Sequence, residues 1–268
     1  MVHGRFLYWH CPPCNLRMLD GDAQGDRAEM FDARYFQNGD TSGYHDYVAE
    51  ARCHRINANA RLDQLTAAGG ASGALLEIGT AAGFLLEQAK LRGFGIAAVD
   101  ISEWSRRETS RRTGTKVHTS LAEVQRPTHG FQAVAMVQVL AHIPDAPAAL
   151  RAVANLIQPG GVLLLEDWDA DSKRARRLGR RWQEFAPPSV VWLFGRKALT
   201  RLLDQAGFTV ESITTPGKRV GVGLVLHKVF GQSRLGRALI GVAQRLGMFR
   251  LSLHYRGDDL ITVLARRR

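Results

Sequence analysis

From residue 74 onward, apolar positions fall into short runs separated by helical stripes. Ala74-Leu75-Leu76-Glu77-Ile78 predicts a buried strand, and Phe84 to Arg92 predicts a helix entered through a glycine-containing turn. Gly95 to Asp100 predicts a second strand, followed by a helix start at Ser102 with acidic Glu103 in its first turn. Lys116-Val117-His118 predicts a weak third strand and Phe131 to Val137 a fourth. Pro147 to Ile157 predicts the next helix, and Gly161 to Glu166 a fifth strand entered through Pro159-Gly160-Gly161. Arg196 to Ala206 has apolar residues at 198, 199, 202 and 203 and stops at Gly207, as a glycine-capped helix does. Phe208 to Thr215 and Leu260 to Ala265 are β-rich. Strands alternating with helices predict a parallel sheet covered on both faces, with ligands at the carboxyl ends of its strands. Residues 1–73 read as an irregular stretch with one helix, Tyr44 to Ala68.

Composition narrows the partners. The chain has 268 residues, 45% hydrophobic and 23% charged, which excludes a disordered polymer and a disulfide-stapled miniprotein. Its 36 Lys and Arg exceed 25 Asp and Glu, a formal charge of +11. The last 51 residues carry 11 basic and 2 acidic residues, and Lys173 to Arg181 adds six bases and no acid, so the remainder has a net charge of −4. The excess belongs to two late segments, which weighs against nucleic acid and toward an acidic or phosphorylated acceptor or a solvated lid rim. The three cysteines, Cys11, Cys14 and Cys53, do not make a secreted disulfide framework, and the first apolar stretch is too short for a signal peptide, so a cytoplasmic protein is expected. No apolar run reaches the roughly 20 residues of a membrane span.

Chemistry concentrates in Glu77-Ile78-Gly79-Thr80-Ala81-Ala82-Gly83, where the first strand meets the first helix. Gly79 permits a tight turn, and small Ala81, Ala82 and Gly83 let a ligand approach the main chain. Asp100 ends the second strand, where a carboxylate can accept two ribose hydroxyls. A dinucleotide site would want G-x-G-x-x-G, and Ala81 holds its middle position. Glu77 suits a cationic ligand better than a pyrophosphate.

The runs LLEIGTAAGFLLE (75–87), AVDIS (98–102), VLAHIPD (139–145) and LIQPGGVLLLEDWD (156–169) resemble the class I S-adenosylmethionine-dependent methyltransferases over roughly residues 74–215. The resemblance implies an α/β fold: a seven-stranded Rossmann-like sheet with helices on both faces and an antiparallel edge. An N-terminal cap over 1–68 would precede a catalytic domain over 69–268, with a basic insertion at 216–259. It implies S-adenosylmethionine as donor and S-adenosylhomocysteine as product. Glu77, Gly79, Thr80, Ala81 and Gly83 would hold the methionine moiety, Asp100 and Ile101 the ribose, and Ser120 and Leu121 the adenine, with Gln138 and Tyr44 completing the donor site. The acid usual after the third strand is absent, leaving Ser120 or a backbone group in its place.

The resemblance also places possible proton acceptors just after the fourth strand, where His142 stands as either general base or a cap of the turn before Pro144. Glu166 and Asp167 would face the same mouth. Trp182, Phe185, Trp192 and Phe194 would line an apolar acceptor pocket or serve as plain core. Tyr35-Phe36 and Gly43 to Tyr47 resemble the aromatic lid of relatives. Cys11 and Cys14 form half of a zinc ribbon, and no metal is expected. Leu235, Leu239, Val242, Leu246 and Phe249, flanked by Arg234, Arg245 and Arg250, predict an amphipathic helix. It reads as a lid or homodimer surface, with peripheral membrane contact less favoured because Gly231, Gly236, Gly241 and Gly247 weaken it. The expected reaction is O-methylation of a small or medium-sized metabolite; an RNA methyltransferase and a degenerate donor-binding protein are the alternatives.

Overall fold

The computed structural model describes residues 2–3, 6–21, 26–37, 44, 46–70, 73–230, 233, 240–242, 245–246, 248 and 251–268. An N-terminal hairpin comes first, with β1 (Val2–His3), β2 (Phe6–Cys11) and β3 (Leu16–Leu19). Two short helices follow, α1 (Arg27–Met30) and α2 (Ala33–Gln37). The helix expected from Tyr44 begins later: α3 spans Ala51–Ala67, after a single 3-10 turn at Val48–Glu50, because the preceding residues are held by backbone bonds to the cap, Tyr44 N–H to Tyr35 O and Tyr47 N–H to Phe36 O.

From Ala74 strands and helices alternate: β4 (Ala74–Ile78), α4 (Phe84–Leu91), β5 (Gly95–Val99), α5 (Glu103–Thr113), β6 (Val117–His118), β7 (Phe131–Val137), α6 (Ala146–Leu156) and β8 (Ile157–Trp168). β8 is longer at both ends than the sequence suggests. Ile157 already pairs with Phe131, and Pro159-Gly160 is absorbed as a register shift before Val162 pairs with Ala133. After it come α7 (Lys173–Leu178), β9 (Trp192–Leu193), α8 (Arg196–Gln205), β10 (Phe208–Thr214), β11 (Lys218–Gly221), α9 (Val222–Phe230), β12 (Ser252–Tyr255) and β13 (Leu260–Arg267).

Among the described residues the main sheet has seven strands in the order β10-β13-β8-β7-β4-β5-β6. β4 to β8 run parallel, and β13 is antiparallel to both of its neighbours. Period-two alternation divides the core. Leu76, Val134, Met136, Leu163 and Leu165 pack on one face with Leu150 and Val153 of α6 and Leu199 and Leu203 of α8. Leu75, Ala133, Ala135, Val162 and Leu164 pack on the other with Leu62 and Leu65 of α3 and Leu86 of α4. Glu77 and Glu166 share the parity of Leu75 and Leu164, so both point toward α3.

Two attachments flank the carboxyl ends of the parallel strands. The four-stranded sheet β1-β2-β3-β9 joins the N-terminal hairpin to the segment after α7, with Tyr8 Oη donating to the Val190 carbonyl at 2.5 Å. The β11-β12 hairpin lies over α3: Asn57 exchanges two hydrogen bonds with the Arg219 backbone, at 2.7 and 2.9 Å, and Glu50 accepts the Gly221 N–H at 2.7 Å. Leu235, Leu239 and Phe249 of the expected amphipathic helix lie outside the described residues, as do Arg234, Arg250, Gly43, His45, Gly231, Gly236 and Gly247. No described helix is long and apolar enough to cross a membrane.

Candidate active site

A cavity of about 1490 Å³ opens at the carboxyl ends of β4, β5 and β7. It exceeds the 300–1,000 Å³ usual for one small ligand, which leaves room for a donor and an acceptor together. Glu77, Gly79, Thr80, Ala81, Asp100, Ile101, Ser120, Leu121, Gln138, His142 and Tyr44 all line it. Gly83 sits behind the lining as the N-cap of α4.

Its floor is the β4-α4 turn. Gly79 has φ +76°, and a Cβ there would stand 2.2 Å from Val139 Cγ2, so only glycine fits. Ala81 has φ +47° and Gln138, at the end of β7, has φ +56°. Both are non-glycine residues in left-handed backbone, and both border the cavity, where stored backbone strain tends to collect. The Asp100 carboxylate fastens the turn to β5: one oxygen accepts Thr80 N–H at 2.7 Å and Ala81 N–H at 3.2 Å, and the other accepts Ser102 N–H at 2.8 Å. Burial raises its pKa against those bonds.

Glu77 is the feature that defines the ligand. It is buried, Oε2 has no hydrogen-bond partner, and burial pushes its pKa well up while the charge of Arg61 pulls the other way. A buried carboxylate with an orphaned oxygen is costly unless something positive or hydrogen-bonding arrives. A ligand carrying an ammonium and a sulfonium meets that need. Gln138 Nε2 is a second buried orphan on the same wall. At the far end Ser120 Oγ donates to Glu123 at 3.1 Å, and Thr119 N–H also reaches that carboxylate. An acid is therefore present three residues beyond Ser120, tied back to the loop.

Several residues reach the cavity without any motif to announce them. Arg61 of α3 holds Glu166 with two hydrogen bonds, 2.9 Å from Nε and 2.5 Å from Nη2. Its signal was a charge inside the apolar stripe Ala58-Leu62-Leu65. His54 stacks between Tyr47, at 4.0 Å between ring centroids, and Phe84, at 5.2 Å. Burial and the Arg61 charge lower its pKa to about 3, so it is neutral at working pH. Tyr35 and Tyr47, which the sequence already offered as part of an aromatic lid, join Tyr44 in the lining; burial lifts the Tyr44 pKa to about 12 and those of the other two as well. Phe31, Trp168, Glu184, Lys218 and Arg219 line the cavity as well.

His142 ends a 3-10 turn, Leu140–His142, that follows β7. Nδ1 lies 2.7 Å from the Ser189 carbonyl, and Phe31 packs on the ring at 5.1 Å between centroids. The turn is anchored from below, where buried Asp167 accepts Ala141 N–H at 2.9 Å and Trp168 N–H at 2.8 Å. Burial lifts the Asp167 pKa to about 7.

Three expectations change or narrow. Glu166 and Asp167 do not face the mouth, because Arg61 claims the first and the β7 turn the second. Trp182, Phe185 and Phe194 are core, and Trp192 turns its indole N–H to the Ile143 carbonyl at 2.8 Å. No base between Lys173 and Arg181 lines the cavity; among the described residues the Lys and Arg side chains that do are Arg61, Lys218 and Arg219. Cys11 and Cys14 close the β2-β3 turn with their sulfurs 3.0 Å apart, Cys53 is buried elsewhere, and no third metal-binding side chain joins them among the described residues.

A methyltransferase domain family profile matches residues 47–213, and the chain belongs to that family. It is 27% identical over 180 residues to a ubiquinone biosynthesis O-methyltransferase of Xanthomonas oryzae pv. oryzae (strain PXO99A), covering 59% of this chain and 75% of the relative. A ubiquinone biosynthesis O-methyltransferase of Marinobacter nauticus (strain ATCC 700491 / DSM 11845 / VT8) is 25% identical over 178 residues, covering 57% and 75%. Among solved structures, magnesium protoporphyrin IX methyltransferase from Synechocystis PCC 6803 with bound SAH superposes with a TM-score of 0.54 at 15% identity, covering 83% of this chain and 87% of that one. The protein is an S-adenosylmethionine-dependent methyltransferase of class I fold.

Proposed function

We propose that the protein methylates a hydroxyl group on a ring-bearing small molecule, with His142 as the base. The observation that carries this reading is the His142–Ser189 hydrogen bond. A carbonyl can only accept, so the neutral ring keeps its proton on Nδ1 and its lone pair on Nε2. Bound S-adenosylmethionine supplies an electrophilic methyl group on a sulfonium. The chain's own work is to align an acceptor oxygen with that group and to take its proton at Nε2 as the oxygen–carbon bond forms. Glu77 would sit against the cationic part of the donor, Asp100 with Ile101 beside the ribose, and Thr119 to Leu121 around the adenine. Phe31, Tyr35 and Trp168 give the acceptor side aromatic walls suited to a flat ring. The O-methyltransferase relatives support oxygen as the acceptor atom. Lys218 and Arg219 favour an acceptor that also carries a carboxylate or phosphate.

The test is turnover on phenols, catechols and amines, read as S-adenosylhomocysteine formed, with donor binding followed separately by calorimetry. Phenolic or catecholic acceptors should turn over, with kcat/KM rising along an acid limb that reports an imidazole needing to be neutral. His142→Gln should bind donor normally, lose that limb and lose roughly 10²–10⁴ in kcat. Full activity with an unchanged pH profile in this variant would remove His142 from the chemistry. No binding of either sulfonium donor or thioether product by the folded protein would overturn the donor site itself.

A further inference from the structure

Ten large apolar side chains stand exposed among the described residues, and five of them fall within twelve positions: Val242, Leu246, Met248, Leu251 and Leu253. Leu246 is 73% exposed and Leu251 58%. Exposed apolar side chains gathered in this way mark an interaction surface. Arg245 and Arg256 stand exposed within and beside the same stretch, and Arg219 on the strand paired with it. The insertion at 216–259 holds eight basic residues and two acidic ones. Both acids are turned inward: Asp258 accepts the Lys173 N–H at 2.7 Å, and Asp259 is buried against the Trp182 indole N–H at 3.2 Å and Arg174 at 3.3 Å. The exposed Arg219, Arg245 and Arg256 thus have neither acid of the insertion as an ion-pair partner among the described residues.

We infer that this insertion docks the enzyme on an anionic lipid bilayer. Leucines set among arginines fit the boundary between headgroups and acyl chains, where the apolar groups bury and the cations meet lipid phosphates. A second copy fits poorly, because a two-fold contact through this patch would bring two cationic faces together. The surface also adjoins the cavity. Leu253 pairs across the hairpin with Val220, which lines the cavity beside Lys218, and cross-strand partners lie on one face of a sheet. Docking there would turn the acceptor mouth toward the lipid. The inference does not depend on which acceptor atom is methylated.

Flotation of the full chain with vesicles of phosphatidylcholine, alone or mixed with phosphatidylglycerol, tests it. Binding is expected only to the mixed vesicles and should weaken as salt is raised. Leu246→Ser/Leu251→Ser and, separately, Arg245→Glu/Arg256→Glu should each weaken it roughly tenfold or more while leaving donor affinity unchanged, which reports an intact fold. Absence of binding to anionic vesicles at low salt would overturn the inference. So would vesicle binding unaffected by either variant, or a concentration-dependent dimer that these substitutions dissolve in a protein that ignores lipid.

Discussion

Asp167 shows how one buried carboxyl ties stability to the turn that carries His142. Its native pKa of about 7 lies above the ordinary aspartate value because burial outweighs two backbone hydrogen bonds. A raised carboxyl favours the native state while it is protonated. Between pH of about 4 and 7 the unfolded chain releases this proton and the native chain does not, so stability falls with rising pH through that window and is flat above it. Asp167→Asn should flatten the fall in urea unfolding measured across the window. It should also cost roughly 1–3 kcal/mol at the acid end, since the amide NH₂ must face one of the two backbone donors. The identity of Asp167 was visible in the sequence and its direction was not. Whether a strand-end acid faces the mouth or a neighbouring turn depends on register and on what its partner strand presents, and neither is written locally. The same holds for Glu166, whose partner Arg61 lies 105 residues away.

At the scale of elements the sequence was more legible. The strands of the parallel sheet and the helices after them are local patterns: β-rich runs, Ser102 accepting the Ser105 N–H at the start of α5, and Gly207 in left-handed backbone after α8. The β4-α4 turn could be read from Gly79 and Gly83 alone. Gly79→Ala combines a left-handed φ with a clash on Val139, and should cost roughly 2–5 kcal/mol, seen as a lower melting temperature together with lost donor binding. What pattern did not reveal were elements assembled from distant pieces. β9 is two residues long and exists because β3 pairs with it from far upstream in the chain, Arg17 opposite Leu193 and Met18 opposite Trp192. Trp182 and Phe185 of the aromatic segment therefore pack in a core beneath that small sheet, with Tyr8 and Leu19, while Glu184, Ser189 and Val190 of the same segment reach the cavity.

Across the whole molecule, the Arg61–Glu166 pair links α3 directly to β8 at the cavity, with Thr262 of β13 adding a hydroxyl at 3.4 Å. Removing one partner strands a charge: Arg61→Met should cost about 3–5 kcal/mol in chemical denaturation, and the double variant with Glu166→Gln should recover a large part of it. Charge at this scale acquires a different meaning from the bulk +11. The cations cluster on the insertion and on α7, outside the donor half.

The insertion leaves the sheet at Thr214 and returns at Leu260, and those two strands are hydrogen-bonded neighbours, Phe208 opposite Arg267 through Thr214 opposite Thr262. The exit and the return are thus pinned a few ångströms apart whatever lies between them, and lengthening the intervening loop adds closure entropy only logarithmically. This makes residues 216–259 an exchangeable cassette. Changing its length or sequence would alter the Lys218 side of the cavity while leaving in place the strands and turns of the donor half, which lie elsewhere in the chain.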